Sequence, residues 1–343
     1  MMNSLGDVAR ILSQGRRFLV TGHVMPDGDC VGSVLALGLA LERQRREVSF
    51  ALPSPVPATY SFLPGAGRIR VNPPLEELCN GSGFDVVLIM DTSVPERLGE
   101  FGEAVKRLRE SGSTTVVIDH HVSAVPYGDI NYIDPGAAAA GEIVHDLLRL
   151  LGWKIDKDIA DCLYVAVVTD TGGLRFETTT AATHRRVAEF IEAGVNVREL
   201  SLRIFEERSL KSIKAVKAAL DTLELSPCGR VAWMTMDLSA ARRLEIEDEH
   251  TDGVVNYGGS IKGVEVALFF RELEADCVKV SFRSKSYVNV SQLAGQFGGG
   301  GHPRAAGALV KGNLDQVLQA VVKASVAACL PAGTASGGEA REF

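Results

Sequence analysis

The chain has 343 residues, enough for two cores of ordinary size, and its 46% apolar and 23% charged composition is that of a folded globular protein rather than a disordered one. A net charge of −7 argues against a protein that grips long nucleic acid, because lysines and arginines supply that affinity by displacing counterions. Six scattered cysteines with no CxxC pair exclude a disulfide scaffold; with no apolar leader and no run of roughly 18 uncharged apolar residues, a cytoplasmic protein without membrane contact is expected.

In chain order, Phe18–Thr21 is a short β-prone run. Val31–Leu41 places Val34, Leu35, Leu37, Leu39 and Leu41 in an apolar helix before a second strand at Val48–Leu52, which makes a βαβ unit. Val86–Met90 and Thr114–Ile118 are continuous apolar or β-branched runs, the pattern of strands buried on both faces of a parallel sheet. Helices are predicted over Gly141–Leu151 with Gly152 as stop, over Lys157–Val168, and over Ala181–Ala193 between the N-cap Thr180 and Gly194. Residues 196–225 read as a charged helical linker.

After Pro227-Cys228-Gly229 come strands at Val231–Met236, Val264–Arg271 and Val278–Ser284, a short helical stretch at Val290–Phe297, a glycine cluster and a closing helix at Leu314–Leu330. The expectation is an α/β protein: a domain over 1–195 with an open, mostly parallel sheet flanked by helices, then a smaller α/β domain over 226–330. The Ala-, Gly-, Ser- and Glu-rich tail, 331–343, is expected to be disordered.

The chemistry-bearing residues sit at the ends of these runs. His23-Val24-Met25-Pro26-Asp27-Gly28-Asp29 follows the first strand, Asp91 the run Val86–Met90, Asp119-His120-His121 the run Thr114–Ile118, and Asp170 closes a helix. A single Asp in such a place is ordinarily a cap or turn former. Here each element reaches the same rim, since ligands of an open α/β sheet bind outside the carboxyl ends of its strands. Four aspartates and two histidines crowded together repel one another unless cations neutralise them. Six side chains suit two adjacent divalent ions with positions left open, and an oxygen and imidazole set without thiolates favours Mn²⁺ or Mg²⁺, with Co²⁺ or Zn²⁺ as further options.

The Asp119-His120-His121 triplet, the His23 to Asp29 segment with Gly32-Ser33 behind it, Asp91-Thr92-Ser93 and Thr169-Asp170-Thr171-Gly172 resemble the DHH phosphoesterase family. The resemblance implies that His23, Asp27 and Asp91 hold one metal and that Asp29, Asp91, His120 and Asp170 hold the other, with Asp91 bridging. It leaves His121 to contact the scissile phosphate or assist proton transfer, with Asp119 orienting a histidine.

Gly298-Gly299-Gly300-Gly301-His302 exposes backbone N–H groups in the manner of an anion-binding nest, though it lacks the ending of a Walker loop. With Arg283-Ser284 upstream and Arg304 beside it, this region resembles the domain that accompanies DHH phosphoesterases acting on nucleotides, closest to the nanoRNase and pAp phosphatase subgroup, as does Gly172–Phe176. The resemblance implies that 1–195 is the catalytic domain, that the active-site cleft lies between it and the smaller domain, and that Arg283, Ser284, Gly298, Gly299, Gly300, Gly301 and His302 bind the nucleotide, with Arg304 and Arg97 as further candidates. The expected activity is two-metal hydrolysis, with Mn²⁺ as first choice, of short oligoribonucleotides and of adenosine 3′,5′-bisphosphate, by a chain that acts alone or as a homodimer. A cyclic dinucleotide phosphodiesterase and a single-strand DNA exonuclease are alternatives; an inorganic pyrophosphatase would leave the glycine run unexplained, and an inactive nucleotide-binding regulator would not need an intact ligand set.

Overall fold

Strands without polar side chains need apolar cover on both faces, and the N-terminal half of the chain is organised around that requirement. A computed structural model describes residues 3–74, 77 and 83–330, and the chain divides into two units, Met1–Glu207 and Arg208–Phe343. The first unit runs α1 (Leu5–Gln14), β1 (Arg17–Thr21), α2 (Gly28–Arg43), β2 (Glu47–Leu52), β3 (Arg70–Val71), β4 (Val86–Met90), α3 (Phe101–Glu110), β5 (Thr114–Asp119), β6 (Ile130–Ile133), α4 (Ala140–Leu151), α5 (Lys157–Asp170), α6 (Ala181–Glu192) and α7 (Val197–Ser201).

Its six strands lie in the order β3-β2-β1-β4-β5-β6, all parallel. Alternate side chains of the same strands enter different cores. Phe18, Val20, Leu88 and Met90 pack with the helix layer containing α2, α4 and α5, while Leu19, Val87, Ile89 and Val117 pack with Leu98, Phe101, Val105 and Leu108 around α3. The strand order reverses between β1 and β4, which is the topological switch point at which open α/β sheets bind ligands.

Helix α2 starts at Gly28, three residues before the position expected from its apolar pattern, because Asp27 caps it: the Asp27 carboxylate accepts from Cys30 N at 3.0 Å. Asp29 thus stands in the first helical turn rather than in a loop. Both α1 and β6 fall outside the sequence expectation.

The second unit comprises α8 (Leu210–Leu220), β7 (Glu224–Leu225), β8 (Val231–Met236), α9 (Leu238–Arg243), α10 (Val255–Ser260), β9 (Val266–Glu274), β10 (Cys277–Ser284), α11 (Val290–Gly295), β11 (Gly300–His302), β12 (Ala305–Lys311) and α12 (Leu314–Cys329). Its sheet has the order β11-β12-β10-β9-β8-β7, parallel only between β8 and β9.

Two expectations are corrected here. Residues 196–225 are not a separate linker: Leu200 is buried in the core of the first unit, and Ala215 and Ala219 in a core of the second. Charge on the outer face of α8 had hidden its small buried residues Ser212, Ala215 and Ala219. Nor is the glycine cluster an open loop, since Gly300–His302 is an edge strand paired with Ala305–Gly307. A Cβ on Gly299 would collide with Gly307 O, and one on Gly301 would lie 2.5 Å from Ala305 O, so close hairpin contact accounts for two of the four glycines. Gly298, at φ 75°, supplies the left-handed turn after α11. The tail at 331–343 lies outside the described residues.

Candidate active site

Three strand ends and two helix ends bring the six expected ligands together. His23 follows β1, Asp91 follows β4 and His120 follows β5, while Asp27 and Asp29 open α2 and Asp170 closes α5. Helices α2 and α5 approach closely because Gly32 faces Cys162 O and Ala166 Cβ, where a side chain would have no room.

Candidate ligand atoms lie within 4.8 Å of one another in three interlocking groups: His23, Asp27 and Asp91; Asp29, His120 and Asp170; and Asp91, His120 and His121. His23 Nε2 is 3.3 Å from Asp91 Oδ2 and 3.9 Å from Asp27 Oδ1. His120 Nε2 is 3.1 Å from Asp170 Oδ2, 3.5 Å from Asp91 Oδ1 and 3.6 Å from Asp29 Oδ2. Asp91 belongs to two groups and faces a histidine with each of its oxygens. It holds that place in a left-handed backbone conformation, φ 51°, uncommon for a residue with a side chain.

The electrostatics are those of a cation site. His23 and Asp91 are 1% exposed, Asp29 is fully buried, and only the Asp27 side chain, at 53%, is widely open to solvent. His23 Nε2, His120 Nε2 and Asp91 Oδ1 are buried and make no hydrogen bond among the described residues. Polar atoms left this way are costly unless something charged completes them, and an oxygen and imidazole donor set fits divalent cations.

Without a cation the imidazoles must take up the carboxylate charge themselves. Burial favours neutral His120, but Asp170, Asp91 and Asp29 outweigh it and push its pKa up to about 12. His23 is likewise pushed up to about 12 against its burial; Cys30 lies close by, but burial keeps that thiol neutral, so Asp91 is the charge that matters. Burial followed by the charges of Asp91 and Asp170 raises Asp29 well above the usual carboxylate range. Asp91, although burial opposes it, is held well below that range by His120 and His23.

Other groups set the orientation of the ligands. Asp119 Oδ1 accepts from His120 N at 2.6 Å, His121 N at 2.8 Å and His121 Nδ1 at 2.7 Å, so one carboxylate oxygen organises both histidines. His121 Nδ1 also lies 3.3 Å from Asp91 Oδ1. Asp29 accepts from Ala140 N at 2.5 Å and Gly141 N at 2.9 Å, which makes it the cap of α4, whose own N-cap Ala139 has no polar side chain. His120 Nδ1 faces Ala137 O at 3.3 Å. The backbone of Ala137–Gly141 had escaped sequence analysis because an alanine run carries no chemical signal.

His23 Nδ1 is 2.8 Å from both Val24 O and Arg97 Nη2. A ring nitrogen can donate to the first or accept from the second, and a histidine that ligates through Nε2 carries its proton on Nδ1 and donates it to Val24 O. Arg97, a substrate candidate from its sequence, stands beside the site's first histidine.

The second-unit candidates are mixed. Ser284 Oγ donates to Val288 O at 2.7 Å and Arg304 Nη1 to the same oxygen at 3.0 Å, so both side chains hold a turn. Arg283 donates to Phe282 O at 2.9 Å, and burial lowers its pKa while Asp252 opposes. A Cβ on Gly300 would meet nothing within 4 Å, in contrast to Gly299 and Gly301. The His302 side chain lies outside what the structure describes.

Residues 17–167 match the N-terminal domain of the DHH family and residues 234–327 the DHHA1 domain. The chain is 32% identical to the bifunctional oligoribonuclease and PAP phosphatase NrnA of Thermus thermophilus over 92% of each chain. It is 29% identical to the protein of the same name from Bacillus subtilis, over 89% of this chain and 92% of that one. An exopolyphosphatase-related protein from Bacteroides fragilis has the same fold, with a TM-score of 0.86 at 23% identity over 94% of each chain. A ligand constellation at the switch point of a parallel sheet, in a chain whose two halves match these two domains in order, has one family assignment: the chain belongs to the DHH family.

Proposed function

We propose that this chain is a two-metal phosphoesterase that hydrolyses short oligoribonucleotides to mononucleotides and removes the 3′-phosphate of adenosine 3′,5′-bisphosphate, with Mn²⁺ as its ion. The observation that carries the reading is the set of three interlocking ligand groups, linked through Asp91 and His120, in a chain that matches the NrnA relatives over nearly its whole length. His23, Asp27 and Asp91 would hold one ion and Asp29, Asp91, His120 and Asp170 the other. When bound, the ions supply acidity for an attacking water and positive charge for the phosphoryl oxygens.

The chain's own groups do the rest. Asp119 keeps His121 in one orientation by accepting from its Nδ1, and the imidazole then touches the scissile phosphate or passes a proton to the leaving oxygen. Open Asp27 and partly open Asp170 mark the side from which substrate arrives. The nucleotide is bound by Arg283 and the Gly298–His302 segment, where Gly300 leaves the backbone accessible.

The test is purified protein with Mn²⁺, assayed against 5′-labelled RNA dimers to pentamers, adenosine 3′,5′-bisphosphate and cyclic dinucleotides. Mononucleotides from RNA and AMP from the bisphosphate are the expected products. Turnover of cyclic dinucleotides alone, or equal activity in a chelator, would overturn the reading.

A further inference from the structure

Glu142 is 3% exposed, lies in the first turn of α4 and belongs to none of the three ligand groups. A buried carboxylate is unfavourable unless its charge is matched and its oxygens are used. Its Oε2 accepts from Ala138 N at 3.0 Å, and Arg186 Nη1 from α6 stands 3.5 Å from its Oε1. Arg186 is itself clamped by Asp146, donating to Oδ1 at 3.0 Å and to Oδ2 at 2.5 Å.

Ala138 belongs to the five-residue bracket from Ala137 to Gly141, and three other polar groups of that bracket face the metal site: Ala137 O meets His120, and Ala140 N and Gly141 N meet Asp29. Ala138, Ala139 and Ala140 are at most 1% exposed, so bulk water does not reach Ala138 N while Glu142 is in place, and Glu142 is its partner. Behind the bracket a cavity of about 120 Å³, lined by Asp134, Gly136, Ala137, Glu142 and Arg186 among others, gives it room to turn.

We propose that Glu142, held by Arg186, is a positioning residue that fixes the Ala137–Gly141 bracket and through it the orientation of the ligands Asp29 and His120. The inference rests on the metal-site reading above. With Glu142 in place the bracket has one conformation; without it, the orphaned Ala138 N–H is relieved by rotating the bracket into the cavity, which loosens both ligands together.

The experiment is direct titration of the full chain with Mn²⁺, free ion being read by electron paramagnetic resonance, beside Mn²⁺-dependence of RNA hydrolysis. Glu142→Ala should bind Mn²⁺ roughly 10–100-fold more weakly, the range typical for partners that orient metal ligands, with turnover largely recovered at saturating Mn²⁺. Glu142→Gln should stay near wild type, because its amide oxygen still accepts from Ala138 N; a merely structural carboxylate would show no such rescue. Wild-type binding in a folded Glu142→Ala variant, or a Gln variant as weak as Ala, would overturn the proposal. If Glu142→Ala fails to fold, Arg186→Met takes its place, and unaltered Mn²⁺ binding there would have the same force. Failure of the wild-type chain to bind Mn²⁺ would remove the metal-site reading itself, an outcome distinct from unchanged binding in the variants.

Discussion

The spacing of α2 and α5 makes a quantitative demand on Gly32. A Cβ there would lie 2.5 Å from Cys162 O and 2.9 Å from Ala166 Cβ, both on α5. An ordinary carbon–oxygen contact is about 3.3 Å, so Gly32→Ala must part the helices locally by about 0.8 Å. Overpacking of this kind costs ~1–3 kcal/mol, and at about 2–4 °C per kcal/mol for a unit of this size the melting temperature should fall by roughly 2–12 °C. The same displacement separates Asp29 on α2 from Asp170 on α5, which stand 3.6 and 3.1 Å from His120 Nε2. Misplacement approaching 1 Å can cost about 10²-fold in rate, so Mn²⁺-dependent release of mononucleotides should fall by roughly 10–100-fold. Calorimetry on chelator-treated protein reads the first effect and Mn²⁺ titration of hydrolysis the second. Unchanged melting and unchanged turnover together would refute the argument that this glycine sets the distance between the two ligand-bearing helices.

Three further outcomes are expected. His120→Ala and Asp170→Ala should each abolish Mn²⁺-dependent hydrolysis while leaving a folded chain by circular dichroism, and full activity in either would sink the two-metal assignment. Gly300→Val, at the glycine with open space around it, should keep Mn²⁺ binding and melting intact but raise KM about tenfold or more, equivalent to ~1.4 kcal/mol of binding; an unchanged KM would remove the substrate role from that strand. Burial alone would raise Asp146, but His145 and Arg186 more than offset it and lower its pKa to about 2, below an unfolded value of about 3.9. Its stabilisation is therefore complete above the unfolded value and lost as pH falls through about 2. Because its side chain is 43% exposed, the contribution is under about 1 kcal/mol. Urea melts of the metal-free chain against Asp146→Asn should show a small wild-type advantage at pH 6 that shrinks below pH 4, and an advantage that grows on acidification would contradict the pairing.

The strands that carry the site were legible because a five-residue apolar run such as Val86–Met90 has no use except burial on two faces, and the structure gives it one. The gathering of the candidate ligands was legible for a related reason: charged and imidazole side chains directly after such runs share one rim. Local chemistry of this kind is written in adjacent residues. What could not be read locally depends on what lies across space. Asp29 caps a helix 111 residues away, Glu142 braces the bracket that completes that cap, and Arg97 meets His23 from a turn 74 positions further along. The glycine run reads from sequence as an anion-binding nest because glycine bares the backbone, yet two of its members are glycine since a neighbouring strand leaves no room for Cβ. Sequence thus determined which charged and imidazole residues gather and at which edge of the sheet. Tertiary structure decided their orientation, through backbone groups that look alike in every sequence and become specific only when folding sets a carboxylate opposite them.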